Sequence, residues 1–342
     1  MLNNKMKINI YSFVKGANHG QFFQALGLKD LVESIFPDAD IRHIYNNNHS
    51  FSEIKGHLKS LSIHKYIAFQ YWWNKYLNFE PHVAPDIEIY GSDMIWFPQS
   101  KIFPFDTSFF GETKCKFRIS YAPSAGPVTS DFYKEEVAER LNGFSHISVR
   151  DKNTQKFVKK HCKFEAKIVI DPSFFIKDIQ DISKGLIDSS FSKRALIYSS
   201  SDHKLMKNLA INLKSNNLID SYQFFGYYSR AHSIFYASKI CKNPLDFFKE
   251  AERSKLIITD TFHGVMVALI TKTAFIAIRS PSLMARLNSP IMDCFSNKRL
   301  INSVNELNYS YIKSSDDIKF DKIQEYMDES KDFLTRSLSG AL

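Results

Sequence analysis

The chain has few cysteines, and their spacing does not suit a metal centre. The 342 residues include four cysteines, at positions 115, 162, 241 and 294. They lie far apart and form no C-x-x-C pair, and no His or carboxylate cluster has ligand spacing either. We therefore predict chemistry without a metal ion, and buried thiols in a reducing compartment.

Long apolar runs are also missing. No run approaches the roughly 18 to 20 apolar residues that a membrane-spanning helix requires. The first residues, MLNNKMKINIYSFV, lack the apolar core and cleavage site of a secretory signal. The expected location is therefore the cytoplasm.

The charge is strongly positive but not concentrated. The formal net charge is +9, and the lysines are dispersed along the chain rather than gathered in one block. Nucleic-acid binding would favour a clustered patch or a recognisable module, so we do not expect it. The charge suits an acidic substrate or an anionic membrane surface, while most of the lysines are explained as a solvated surface.

What the chain does contain is an alternation of strands and helices that occurs twice. Strands are predicted near residues 7–14, 40–45, 86–90, 116–122, 144–150 and 167–170, and again near 195–199, 222–227, 256–258 and 274–278. Helices are predicted between them, for example over residues 22–36. This pattern predicts an α/β fold of two Rossmann-like domains, with parallel sheets flanked by helices and a cleft between the domains.

The domain boundaries follow from the same pattern. We expect an N-terminal domain over residues 1–175 and a C-terminal domain over 190–315, joined by a connection near 173–193. Residues 320–337 form a long polar helical pattern, so residues 316–342 are predicted to pack back on the first domain.

The segment Lys255 to Ile270, KLIITDTFHGVMVALI, combines a buried strand, a polar turn and the start of a helix. Ligands of open α/β sheets bind beyond the carboxyl ends of strands, and helix N-terminal amides favour anions. His263 lies at that point, where an imidazole could take part in catalysis. The alternative is that His263 only caps the turn.

Other polar turns follow predicted strands. Gly16 to Gly20 could place amides against an anion, although an ordinary tight turn explains it equally well. Asp93 follows the third strand, where a cap or turn role is the simpler interpretation. Arg150 ends another strand and could grip an anion bidentately, or form an ion pair with Asp151 or another acid.

These motifs, in this order, resemble the polysaccharide pyruvyl transferase family. The matching pieces are G-x-N-x-G at residues 16–20, Gly91-Ser92-Asp93 with Trp96 and Pro98, Ser120-Tyr121-Ala122 leading to Gly126, Ser148 to Lys152, Asp171-Pro172, and Thr259 to Gly264. Together they span residues 8 to about 280, which is most of the chain.

The resemblance implies a fold and a reaction. The fold is two Rossmann-like domains in a glycosyltransferase-B-like arrangement. The reaction moves the enolpyruvyl group of phosphoenolpyruvate to a sugar of a surface polysaccharide or its lipid-linked precursor, and leaves a pyruvate ketal. Phosphoenolpyruvate is then a substrate, and no cofactor is expected.

The resemblance also implies roles for individual residues. His263 would act as a general acid and Asp93 as a base or a sugar ligand. The expected donor-binding residues are Arg150, Thr261, Phe262, Gly264 and Arg230, the last from a loop after a second-domain strand. The expected acceptor-binding residues are Asn18, Gly20, Ser92, Trp96 and Tyr121.

Two positions depart from the family pattern. Many members carry Arg where this chain has Thr261, and Asp where it has Gln21. One anion contact would then come from elsewhere, such as Arg230, Arg279 or Lys15. Two alternatives are therefore a nucleotide-sugar glycosyltransferase of the same architecture and a non-catalytic glycan-assembly protein. We also expect peripheral attachment to the inner membrane.

Overall fold

Two parallel β-sheets, each covered by helices, form the protein. The computed structural model describes residues 5–45, 63–97, 107–111, 115, 117–127, 135–162, 165–182, 193–200, 203–226 and 243–340. All strand pairs within both sheets are parallel over this part of the chain.

The first sheet has six strands in the order β2-β1-β3-β4-β5-β6. In chain order they are β1 (Lys7–Tyr11), β2 (Asp40–Ile44), β3 (Ile87–Tyr90), β4 (Phe117–Ser120), β5 (His146–Val149) and β6 (Lys167–Ile168). The second sheet has five strands in the order β11-β10-β9-β7-β8. They are β7 (Arg194–Tyr198), β8 (Ser221–Phe224), β9 (Leu256–Thr259), β10 (Ala274–Ile278) and β11 (Leu300–Ile301).

Helices connect and cover the strands. Those of the first half are α1 (His19–Ile35), α2 (Ile63–Tyr76), α3 (Glu135–Leu141), α4 (Lys152–His161) and α5 (Lys177–Ile182). Those of the second half are α6 (His203–Ser215), α7 (Asp246–Glu252), α8 (Phe262–Ile270), α9 (Pro281–Leu287), α10 (Ser310–Lys313) and α11 (Phe320–Ser339). Short 3₁₀ helices occur at Thr107–Phe110, Pro172–Phe175, Pro290–Cys294, Asn297–Arg299 and Val304–Glu306.

Each sheet has one point where the strand order changes direction. In the first sheet it lies between β1 and β3, and in the second between β7 and β9. The chain connections that follow the two strands at such a point run in opposite directions. A crevice therefore opens beyond the carboxyl ends of these strands. The turns that follow β1, β3 and β9 contain residues 15–20, 91–97 and 260–263, which the sequence had marked as candidate sites.

Strand residues alternate between two apolar layers, as the period of two requires. Leu196, Ile257 and Phe275 belong to a cluster that also contains Phe22 of α1 and residues of α2. Ile197, Ile258 and Ile276 instead pack with α6 on the other face of the second sheet. One continuous apolar cluster therefore joins the two halves of the protein.

The C-terminal helix α11 returns to the first sheet. Leu334 and Leu338 are fully buried in a cluster with Ile8 and Ile87 of that sheet. The hydroxyl of Ser330 accepts the amide hydrogen of Ile170 at 2.9 Å. The last helix therefore closes over the sheet that the first strands form.

Some boundaries differ from the sequence-based prediction. Helix α1 begins at His19, three residues earlier than predicted, because Asn18 caps it by accepting the amide of Gly20 at 2.8 Å. Helix α2 carries the aromatic residues Trp72, Trp73 and Tyr76, of which Trp73 is fully buried and donates to the carbonyl of Gly16 at 2.8 Å. Residues 46–62 and Cys241 lie outside the described residues.

None of the helices in the described parts of the chain is both long and apolar enough to cross a membrane.

Candidate functional site

The candidate site lies where the carboxyl ends of the two sheets meet. Helix α8 starts directly after β9, and Thr261 is its N-cap. The Thr261 hydroxyl accepts the amide of Gly264 at 2.9 Å. This cap presents Phe262 and His263 in the first turn of the helix, toward the first domain.

The imidazole of His263 packs directly on Gly20 of α1. A methyl group added to Gly20 would overlap the imidazole ring, so only glycine fits there. His263 is 8 % exposed, and its Nε2 has no hydrogen-bond partner in the described structure. An orphaned buried nitrogen at a strand-end crevice is an expected feature of a ligand site.

His263 is neutral at neutral pH. Burial lowers the pKa of its imidazole to about 4, although the nearby carboxylates of Asp171 and Asp93 act in the opposite direction. The guanidinium groups of Arg150 and Arg286 contribute to this lowering. An anion bound beside those two positive charges would raise the pKa of the imidazole.

Arg150 is buried beside the same histidine. It is 2 % exposed, and its Nη1 donates to Oδ2 of Asp171 at 3.1 Å. Its Nε and Nη2 have no partner among the described residues. The ion pair considered from the sequence therefore exists, but it leaves one edge of the guanidinium unpaired.

The partner of Arg150 is Asp171 rather than the adjacent Asp151. Asp151 is the N-cap of α4, with its carboxylate accepting from Thr154 at 2.8 Å and from Ser124 at 2.6 Å. The carboxylate of Asp171 also accepts a hydrogen bond from the side-chain amide of Gln24 at 2.6 Å. Burial alone would raise the pKa of Asp171, but Arg150 and the other neighbours hold it below its usual value.

Phe262 brings two arginines together. Its ring centroid lies 4.8 Å from Cζ of Arg150 and 5.8 Å from Cζ of Arg286. Both distances fall in the cation–π range. Sequence reasoning missed Arg286, because it lies in an unremarkable short helix, and its only sequence signal is a cation in the last turn of the helix that follows β10.

Asp93 belongs to the turn after β3. Its amide donates to Oγ of Ser92 at 2.7 Å, its Oδ1 accepts the amide of Met94 at 2.8 Å, and its carbonyl accepts the amide of Ser124 at 2.7 Å. The carboxylate is close enough to affect the pKa values of His263 and Arg286. Ser92 is fully buried, so the structure gives it the role of orienting Asp93 in place of the predicted acceptor contact.

Two further acceptor predictions fall on buried side chains. Trp96 has no exposed surface, donates from Nε1 to the carbonyl of Phe109 at 2.9 Å, and stacks on Phe110. Tyr121 is fully buried, and its hydroxyl donates to the carbonyl of Ile170 at 3.2 Å. Both support the site from the core, because their polar atoms are already satisfied there.

The backbone amides at the N-terminus of α8, which we expected to favour an anion, are also partly used within the protein. The amide of Gly264 is used by the Thr261 cap, and that of Val265 donates to the carbonyl of Thr261 at 3.3 Å. In the first turn of α8, the amides of Phe262 and His263 precede this first intrahelical bond. Among the described contacts, neither the helix nor its cap uses these two amides.

Two of the replacement cations suggested by the sequence, Lys15 and Arg279, contact other groups. Lys15 contacts Asn74 and lies 3.8 Å from the ring centroid of Phe79. Arg279 donates to the carbonyls of Leu300 at 2.9 Å and Asn297 at 3.4 Å. Arg230 lies outside the described residues. Arg286 is the cation that the structure places beside Arg150.

A cleft of about 610 Å³ lies elsewhere, where α4, β6 and α11 meet the 3₁₀ helix Pro290–Cys294. It contains none of the candidate residues. The concentration of charged and unpartnered groups, rather than cavity size, therefore defines the candidate site.

The chain belongs to the polysaccharide pyruvyl transferase family. The family model matches residues 18–282, which include all of the strand-end turns described above except residues 15–17. No curated protein matches the chain.

Solved structures share the fold. A protein from Anabaena, HepE in complex with UDP and glucose, has 9 % sequence identity and a TM-score of 0.51 over 98 % of this chain and 100 % of its own. The UDP-GlcNAc 2-epimerase of Methanocaldococcus jannaschii has 13 % identity and a TM-score of 0.50, covering 98 % of this chain and 99 % of its own. The expected α/β fold of two Rossmann-like halves in a glycosyltransferase-B-like arrangement is confirmed.

Proposed function

We propose that the protein transfers the enolpyruvyl group of phosphoenolpyruvate to a sugar of a surface polysaccharide or its lipid-linked precursor, forming a pyruvate ketal. The proposal rests on family membership and on the chemistry of the site. The donor carries a phosphate and a carboxylate, so its site must supply cations and oriented N–H groups.

One observation carries the proposal. Nε and Nη2 of Arg150 and Nε2 of His263 are buried and have no partner among the described residues, although they lie at one crevice. Buried polar atoms are nearly always hydrogen-bonded, so these three atoms call for a polar ligand. A small dianion would satisfy the arginine edge and offset the two guanidinium charges.

The chemistry uses the residues on either side of this crevice. Asp93 takes the proton of an attacking sugar hydroxyl, whose oxygen forms a bond to C2 of the donor. His263, protonated once the anion is bound, gives its proton to the methylene carbon, and the C2–O bond to phosphate breaks. A second hydroxyl replaces the phosphate on C2 and completes the ketal, and its proton leaves with the phosphate.

The acceptor and its location are part of the same proposal. The net charge of +9 would favour an anionic lipid surface at the cytoplasmic face of the inner membrane, where lipid-linked saccharides would be reached. Flotation with vesicles containing anionic lipid should then recover the protein at low salt and release it at high salt.

The test is turnover. The protein is incubated with phosphoenolpyruvate and a panel of galactosides and N-acetylhexosamines, and free phosphate and the mass of the sugar are followed. His263→Gln and Arg150→Lys should each lower the rate at least about 100-fold. His146→Asn is the matched control, because His146 is exposed at the opposite end of β5.

Donor binding gives a second readout that does not require the right acceptor. Calorimetric titration with phosphoenolpyruvate in buffers of different ionisation enthalpy should show proton uptake, because the bound anion raises the pKa of His263 from about 4. His263→Gln should abolish that uptake. Binding of a nucleoside diphosphate but not of phosphoenolpyruvate would favour a nucleotide-sugar glycosyltransferase instead.

A further inference from the structure

Arg286 has the position of a ligand-binding residue. It comes from the helix after β10, yet its guanidinium reaches the Phe262 ring that Arg150 also contacts. Its positive charge helps to lower the pKa of His263. Arg286 therefore belongs to the same electrostatic site as the two residues that carry the proposed function.

The two guanidinium groups offer different edges. Arg150 uses Nη1 for Asp171 and leaves the Nε–Nη2 edge without a partner. That edge presents two parallel N–H groups, which match the two coplanar oxygens of a carboxylate.

In Arg286, unlike Arg150, the Nε–Nη2 edge already has hydrogen-bond partners. Its Nε donates to the carbonyl of Ser282 at 3.1 Å, and its Nη2 donates to the hydroxyl of Ser282 at 3.0 Å. The Nε–Nη2 edge is therefore used within α9, and the end of the guanidinium remains for a ligand. An end-on cation suits a phosphate, whose three oxygens can also reach nearby amides.

The electrostatics favour an anion at this end. Burial and, to a smaller extent, the adjacent Arg150 together lower the pKa of Arg286 to about 10. The carboxylates of Asp93 and Asp171 act in the opposite direction and raise the pKa of Arg286, but Asp171 already pairs with Arg150. Two like charges held this close are stabilised by a shared counter-ion.

We propose that Arg286 binds the phosphate group of the donor, together with the first-turn amides of Phe262 and His263, while Arg150 holds the carboxylate. This inference rests on the proposed function. It assigns the two charged ends of one small dianion to two arginines that lie 136 positions apart in the sequence.

The test measures binding of the two halves of the donor separately. Inorganic phosphate, pyruvate and phosphoenolpyruvate are titrated calorimetrically into the wild type and into the Arg286→Gln, Arg286→Lys and Arg150→Lys variants. Arg279→Gln is the matched control, since Arg279 follows β10 but its guanidinium donates to the carbonyls of Leu300 and Asn297.

Arg286→Gln should weaken phosphate binding by about 10- to 100-fold, the loss expected for one charge-assisted hydrogen bond, and should change pyruvate binding less than about 3-fold. Arg286→Lys should retain most phosphate binding, because an end-on contact needs the charge rather than the fork. Arg150→Lys should show the reverse selectivity. If Arg286→Gln does not fold, Ser282→Ala serves instead, with a weaker but equally selective loss.

Unchanged phosphate affinity in Arg286→Gln, loss of pyruvate rather than phosphate, or a wild type that binds no phosphate would each overturn the assignment. Phosphate binding that depends on Arg286, without turnover of phosphoenolpyruvate on any acceptor, would remove the proposed function and leave Arg286 as an anion-binding residue.

Discussion

His263 of the second domain rests directly on Gly20 of the first, and no side chain fits between them. The contact joins the N-termini of two helices, α1 and α8, that follow the strands at the switch points of the two sheets. It holds the imidazole against the first domain, whose Asp93 carboxylate affects the pKa of His263. Gly20, which the resemblance predicts to bind the acceptor, therefore also lies where it limits the position of His263.

Gly20→Ala should test this contact. The added methyl group would overlap the imidazole and displace it, and a shift of about 1 Å at a catalytic group can cost about 100-fold in rate. We expect the rate of phosphate release to fall at least about 10-fold while the protein stays folded, because alanine itself favours a helix.

Gly340→Ala is the control for this substitution. The nearest atom to a methyl group there lies 3.6 Å away, an ordinary contact. Full activity in Gly20→Ala would mean that the position of His263 is not set by Gly20.

The buried ion pair should matter for stability. Asp171→Asn removes the charge that Arg150 pairs with at 3.1 Å, while Arg150 remains buried. Breaking such a pair from one side costs about 3 kcal/mol of the free energy of unfolding. Urea denaturation of the wild type and the variant measures the difference.

Glu329→Gln provides the comparison, since Glu329 pairs with Lys167 at 3.0 Å on the surface. Exposed pairs contribute less than about 1 kcal/mol. Equal losses in the two variants would show that burial of the Arg150–Asp171 pair has no energetic consequence.

Stability should fall as the pH drops from about 6.5 to about 4. His263 has a pKa of about 4 in the folded protein but an ordinary value in the unfolded chain, so the unfolded state binds more protons in this window. The loss attributable to His263 is about 3 kcal/mol across the window. His19 and His43 act in the same direction, because burial also lowers their pKa values.

His263→Asn isolates the contribution of this residue. The free energy of unfolding of the variant, measured in urea between pH 7.5 and pH 4.5, should depend less steeply on pH than that of the wild type. An identical slope in His263→Asn would contradict the prediction.

The local features of the fold could be predicted from the sequence because they depend on neighbouring residues. Asp151 caps α4 across three residues, and Pro281 and Ser280 begin α9 in the same local way. Apolar runs such as Leu256 to Ile258 became central strands, because residues covered on both faces must be apolar throughout. The ordered turns were sufficient to identify the family, which the family model confirms.

The contacts across the site depended on the tertiary structure. Arg150 has Asp151 next to it in sequence, yet pairs with Asp171, because Asp151 is turned into the helix cap. Trp96 and Tyr121 are of residue types that often bind sugars. Their polar atoms instead donate hydrogen bonds to main-chain carbonyls inside the core.

By itself, the sequence therefore determined the strands, the caps, the strand-end turns and the presence of His263 at one of them, since each follows from spacing over a few residues. Only the tertiary structure decided that His263 meets Gly20 and that Arg286 joins Arg150 at Phe262. Those contacts arise where two sheets bring their carboxyl ends together, and burial there decides which polar atoms are satisfied and which remain for a ligand.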